Sequence, residues 1–189
     1  QTVCAGGTIT LAGAIGGGAT TSTWSAPSGA FSNVNSLTST YTPSIASGTV
    51  TLTLTTNDPA GPCLAVTDQM IVTVDPAAVV NAGADQTVCA GSSITLAGTM
   101  SGGATSITWS APSGVFSNVN SLTSTYTPSV ASGTVVLTIT SNDPVGPCAA
   151  VTDVINIVVS QLPTVNANID QTVCAGGTIT LAGAIGGGA

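Results

Sequence analysis

The chain has 189 residues, 43% of them hydrophobic, and its seven formal charges are all Asp, with no Lys, Arg, His or Glu. Without cations it lacks the usual means of gripping a phosphate backbone or an anionic membrane surface. Without His or Lys the common general bases and the Schiff-base amine are missing as well, so neither nucleic-acid binding nor catalysis is expected.

A chain this apolar and this sparsely charged does not fit the composition of disorder. No apolar run approaches the roughly 20 residues of a membrane-spanning helix, and no membrane insertion is expected. In chain order, "TITLA" places Ile9 and Leu11 on one face of a short strand, and "GAIGGGA" reads as a turn. "TWS" follows with Trp24, then the turn signal "SAPSG", then Tyr41 ahead of "TPSIASG". "GTVTLTLTT" (48–56) alternates strictly, with Val50, Leu52 and Leu54 against Thr49, Thr51, Thr53 and Thr55. That is the period of a half-buried strand. After the loop "NDPAGPC" comes "QMIVTV", with Met70, Val72 and Val74 on its inner face.

The pattern then starts again. Residues 86–170 align with residues 1–85 without a gap, 59 of 85 positions are identical, and residues 171–189 repeat residues 1–19 letter for letter. A period of 85 exceeds the roughly 20–50 residues of a solenoid unit and suits a row of small domains. The copies diverge most around Pro76 and Pro163, where the linkers are expected. The expected domains are therefore 1–76 (a repeat lacking its first strand), 77–161 (a complete repeat) and 162–189 (the first strands of a third). About seven short strands per copy, separated by Pro, Gly, Asn and Ser clusters, predict an all-β antiparallel sandwich.

Trp24, Phe31 and Tyr41 recur as Trp109, Phe116 and Tyr126. An exposed Trp24 would mark a glycan-binding face. The alternative is a core role for Trp24, Tyr41, Trp109 and Tyr126, since aliphatics alone fill such a core thinly and a buried ring covers about 150–250 Å².

The five cysteines fall at two repeated places, Cys4, Cys89 and Cys174 near the start of each copy, and Cys63 and Cys148 in the "NDPxGPC" loops. Zinc would call for CxxC pairs or His. The simple reading is one disulfide inside each copy, Cys4–Cys63 and Cys89–Cys148, formed in an oxidising, extracellular place. Cys174 is unpaired in this segment, and its partner is expected in sequence beyond residue 189, the chain being a slice of a longer run. The Asp residues of "AVTD" and of the linkers (Asp68, Asp85, Asp153 and Asp170) are weak candidates for Ca²⁺ at domain junctions. A turn role competes with that reading, and no cofactor is otherwise expected.

"NAGADQTVCAGSSITLAG", the lone "TWS", "YTPS…ASGTVVLTITSNDPVGPC" and "AVTD" before a final strand resemble the PKD-like, immunoglobulin-like repeats of giant secreted surface adhesins and filaments of gliding, type IX-secreting Bacteroidota. The Trp-Asp-Phe-Gly-Asp-Gly turn of strict PKD domains is replaced by "TWSAPSGAF". The resemblance implies a spacer, adhesive or fibre-forming role. The resulting expectation is a structural segment of an extracellular filament or sheath, associating with itself end to end and side by side. The alternative is the stalk of a surface adhesin whose binding domain lies outside this segment.

Overall fold

The computed structural model describes residues 1–58, 61–144 and 146–188; Pro59, Ala60 and Val145, within the two "NDPxGPC" turns, and Ala189 lie outside the described residues. The described residues form eighteen strands and no helix. The first copy contributes β1 (Thr2–Cys4), β2 (Ile9–Thr10), β3 (Ser22–Ser25), β4 (Ala30–Phe31), β5 (Thr40–Thr42), β6 (Gly48–Thr56) and β7 (Thr67–Asp75). The second contributes β8 (Ala78–Asn81), β9 (Gln86–Cys89), β10 (Ile94–Thr95), β11 (Thr99–Gly102), β12 (Ile107–Ser110), β13 (Val115–Phe116), β14 (Thr125–Thr127), β15 (Gly133–Ser141) and β16 (Thr152–Ser160). The third start contributes β17 (Thr164–Asn166) and β18 (Ala184–Gly186).

The same two sheets are built twice. A four-stranded sheet runs β1-β7-β6-β3 and a three-stranded one β2-β5-β4; their counterparts are β9-β16-β15-β12 and β10-β14-β13. Most pairs are antiparallel, but β1 runs parallel to β7, and β9 to β16. The second copy adds a two-stranded sheet of β8 and β11. Compact packing divides the chain into one unit of residues 1–80, 100–106 and 141–151, and another of residues 81–99, 107–140 and 152–189.

Alternation explains the long hairpins. Val50, Leu52, Leu54, Val72 and Val74 turn into one core with Val3, Ile9, Leu11, Trp24 and Tyr41. Val135, Leu137, Ile139, Ile155, Ile157 and Val159 are buried in the same way in β15 and β16. The rings stack in series: Phe31 lies 6.5 Å from Trp24 and 4.8 Å from Tyr41, and Phe116 lies 6.4 Å from Trp109 and 4.9 Å from Tyr126. Each polar ring atom finds an acceptor, because an unpaired donor in a core is costly. Trp24 Nε1 donates to the Ser36 carbonyl and Trp109 Nε1 to the Ser121 carbonyl, while the Tyr41 and Tyr126 hydroxyls donate to the carbonyls of Ser28 and Ser113. Burial pushes both phenols above their usual pKa. The tyrosine hydroxyl leaves no room for a side chain at Gly29 or Gly114, which also adopt φ of +87° and +92°. Only glycine meets both demands.

Candidate assembly site

The cysteines pair otherwise than the repeat suggests. Cys4 is bonded to Cys148, with Cα atoms 5.0 Å apart and 144 residues between them in sequence. Cys63, Cys89 and Cys174 are free and exposed. The expected pairs Cys4–Cys63 and Cys89–Cys148 are therefore both corrected, and strand register gives the reason. Cys4 sits opposite Asp75, the last residue of β7, whereas Cys63 lies in the loop that precedes Thr67, the first. Nine residues of strand separate the two ends by about 26 Å, far more than the roughly 4.4–6.8 Å between the Cα atoms of a disulfide. Cys89 stands likewise opposite Ser160, at the far end of β16 from the loop of Cys148.

What Cys4 does meet is the loop of the following copy. The Cys148 sulfur lies 3.6 Å from the Asp75 carbonyl oxygen, and Ala5 N–H donates to that same carbonyl. Cys148 is buried. A residue of copy one is thus covalently tied to a residue of copy two.

The four acidic candidates serve the backbone. Asp153 Oδ2 accepts the Ala82 N–H at 2.8 Å. Asp85 accepts the Asn156 N–H at 2.9 Å through Oδ1 and the Asn156 side-chain amide at 3.1 Å through Oδ2. These bonds, the backbone one first, hold the Asp85 carboxyl below its ordinary pKa. Together Asp153 and Asp85 clamp the segment 82–85 along β16, and Ala82 is wholly buried there. Asp68 and Asp170, at the matching places, have no such partner among the described residues. No group of three or more His, Cys, Asp or Glu side chains is placed to hold a metal ion among the described residues.

The first copy has the same edge without the clamped segment. A groove of about 350 Å³ is lined there by Ala12, Gly13, Trp24, Leu54, Asp68 and Met70. Their counterparts Ala97, Gly98, Trp109, Ile139, Asp153 and Ile155 lie around the segment 82–85. Ile155 is fully buried, while Met70 is only partly so. Trp24 itself is buried in the core, 6% exposed, which leaves no stacking face for a sugar.

Two features escaped the sequence reading. Asn57 Oδ1 accepts the N–H groups of both Thr20 and Thr21, and Asn142 Oδ1 those of Thr105 and Ser106. The Asn of "NDP" therefore locks the entry to β3 or β12, a role signalled only by the identity of that tripeptide in both copies. The second missed feature is the groove, since β8 belongs to the most divergent part of the repeat.

No protein-family model matches the chain, and no curated protein matches it. Among solved structures, the insect immune protein hemolin, described for its domain arrangement and homophilic adhesion, superposes with a TM-score of 0.51 at 11% identity, over 84% of this chain and 44% of hemolin. The chain thus spans less than half the length of that relative. The first two immunoglobulin domains of DIP-gamma are similar with a TM-score of 0.40 at 15% identity, over 84% of this chain and 92% of theirs. Domains 4 and 5 of the S-layer protein SbsC give 0.31 at 18%, over 72% and 70%. At these identities the likeness establishes the fold: all-β, immunoglobulin-like and in tandem.

Proposed function

We propose that this chain is a structural segment of an extracellular filament or sheath made of tandem immunoglobulin-like repeats, without catalytic activity. The observation that carries the reading is the Cys4–Cys148 disulfide between successive copies. A bond inside a domain stabilises that domain, whereas one between copies gives a row of domains a second covalent connection beside the linker. That suits a shaft under tension, outside the cell, where disulfides persist. Resemblance to the secreted repeats of Bacteroidota points the same way.

Side-by-side packing has support in the outer face of the hairpins. Val136, Val154 and Val158 are exposed on β15 and β16, and Ile71 on β7. With so few charges there is little repulsion to keep copies apart. An adhesin stalk would use the same row of domains but stand alone in water, so the outward valines favour the filament.

Acid separates the two readings. Only Asp titrates below neutrality, and at about pH 3 most Asp is protonated, so the net charge of −7 is largely removed rather than reversed. The filament reading expects light scattering to rise as pH falls, and Val136→Asp with Val158→Asp to suppress the rise at neutral pH. Scattering that falls steadily on acidification would show that apolar contacts are not what holds copies together.

A further inference from the structure

We infer that the open groove of the first copy is a strand-accepting site for residues 163–170 of a second copy of this chain, and that the junction is closed by a disulfide from Cys63 of the accepting chain to Cys89 of the donor. The inference rests on the self-association in the proposed function but adds its polarity, the segment exchanged and the bond formed.

The chain contains the junction once already, complete. There β7 ends at Asp75 beside Cys4, and the chain runs on through 76–85. Ala82 is buried at the edge of β16 with its N–H on Asp153, and Asp85 is anchored on Asn156. The loop just before β16 supplies Cys148 to Cys4. Shifted by one copy, β16 ends at Ser160 beside Cys89, and the chain runs on through 161–170. The matching acceptor edge is the groove lined by Ala12, Gly13, Trp24, Leu54, Asp68 and Met70, and the loop before β7 carries the free Cys63.

The donor is already shaped for the task. Val165, Asn166, Ala167 and Asp170 repeat Val80, Asn81, Ala82 and Asp85. Gly83 turns with φ +91° while its N–H is held by Asn81 Oδ1 at 2.7 Å. Asn168 turns with φ +73°, its N–H held by Asn166 Oδ1 at 2.7 Å. Non-glycine residues adopt this conformation infrequently, and Asn is among those that tolerate it. Here it leaves Val165 and Ile169 in solvent. Seated in the groove, Ala167 takes the place of Ala82, its N–H reaches Asp68, and Asp170 meets the Ile71 N–H. Residues 171–189 stay outside, because Val3, Ile9 and Leu11 of the accepting chain already occupy the positions their copies would take.

The bond forms by thiol–disulfide exchange with a small disulfide such as oxidised glutathione. The Cys89 thiolate attacks it and releases one glutathione thiolate, and the Cys63 thiolate then displaces the second. Two protein thiols are oxidised, one glutathione disulfide is reduced to two thiols, and the two protons pass to them.

The test mixes equal amounts of unlabelled and ¹⁵N-labelled chain in a glutathione redox buffer, blocks remaining thiols, and cleaves before Asp without reduction. This places Cys63 on fragment 58–67 and Cys89 on fragment 85–142. The expected product joins these two fragments, with about half of the pairs carrying one light and one heavy partner, as random exchange between chains requires. Ala167→Trp, at a residue exposed in the free chain but too large for the groove, lowers the yield of that product roughly tenfold, the size of one overpacked site. Its Cys4–Cys148 bond stays intact, which shows that the variant is folded. Free thiols at Cys63 and Cys89 in associated chains, solely unmixed isotope pairs, or full yield with Ala167→Trp would each overturn the junction. The valine-face variants leave this product unchanged, so a loss of lateral packing and a loss of the junction are read separately.

Discussion

Residues 1–11 and 171–181 are the same eleven letters, yet they are placed in opposite environments. In the first stretch Leu11 is fully buried, and Val3 and Ile9 are 6% and 8% exposed; in the second, Leu181 is 83%, Val173 48% and Ile179 46% exposed. The first pairs with β7 and β5. The second has only the short contact of β17 with β18 to hold it. A strand is stabilised by the neighbours that cover its face, and its own propensity is a minor part. The same lesson applies to the two copies of the sandwich edge, one filled by residues 82–85 and the other open.

The largest effect expected from breaking this contrast lies at the disulfide. Closing a loop of 144 residues restricts the unfolded chain by about 5 kcal/mol on chain entropy. Cys148→Ser should lower the urea midpoint accordingly, while Cys63→Ser leaves the free chain unchanged. Equal losses in both variants would contradict the pairing. Next in size, Leu11→Ala should cost about 2–5 kcal/mol as a cavity in the core. Leu181→Ala, in identical local sequence, should stay within about 0.5 kcal/mol. Calorimetry of the two variants measures directly how much of the energy comes from partners.

A smaller difference is expected between equivalent carboxylates. Asp153→Ala should cost about 1–2 kcal/mol by orphaning the Ala82 N–H, whereas Asp68→Ala costs nothing measurable in the free chain. The smallest effect is pH-dependent. The folded-state pKa of Asp85 is lowered, so its contribution is complete above the ordinary carboxylate pKa near about 4 and is lost as pH falls through the lowered value. The Asn156 amide resonance should move in step with that titration, and Asp85→Asn should abolish the movement.

Much of the fold was legible because alternation is a local signal. The inward sets Val50-Leu52-Leu54 and Ile155-Ile157-Val159 could be read from spacing alone, and so could the pairing of one Trp and one Tyr per core. Cysteine pairing was not legible, because proximity in a repeat does not say which end of a strand a residue occupies. That depends on β1 running parallel to β7, a long-range fact with no local mark. The clamp of residues 82–85 was hidden for a similar reason. Its acceptors Asp153 and Asn156 are 71 residues away, and the shape that matters is shared by Gly83 in one copy and Asn168 in the other, two letters that do not align as similar.

The central claim, that the disulfide runs between copies, is tested most directly by cleaving the oxidised monomer before Asp without reduction. The seven Asp residues place each of the five cysteines on its own fragment. The account predicts fragment 1–57 linked to fragment 143–152, with 58–67 and 85–142 carrying blocked thiols. Fragment 1–57 linked to 58–67, and 85–142 linked to 143–152, would contradict it.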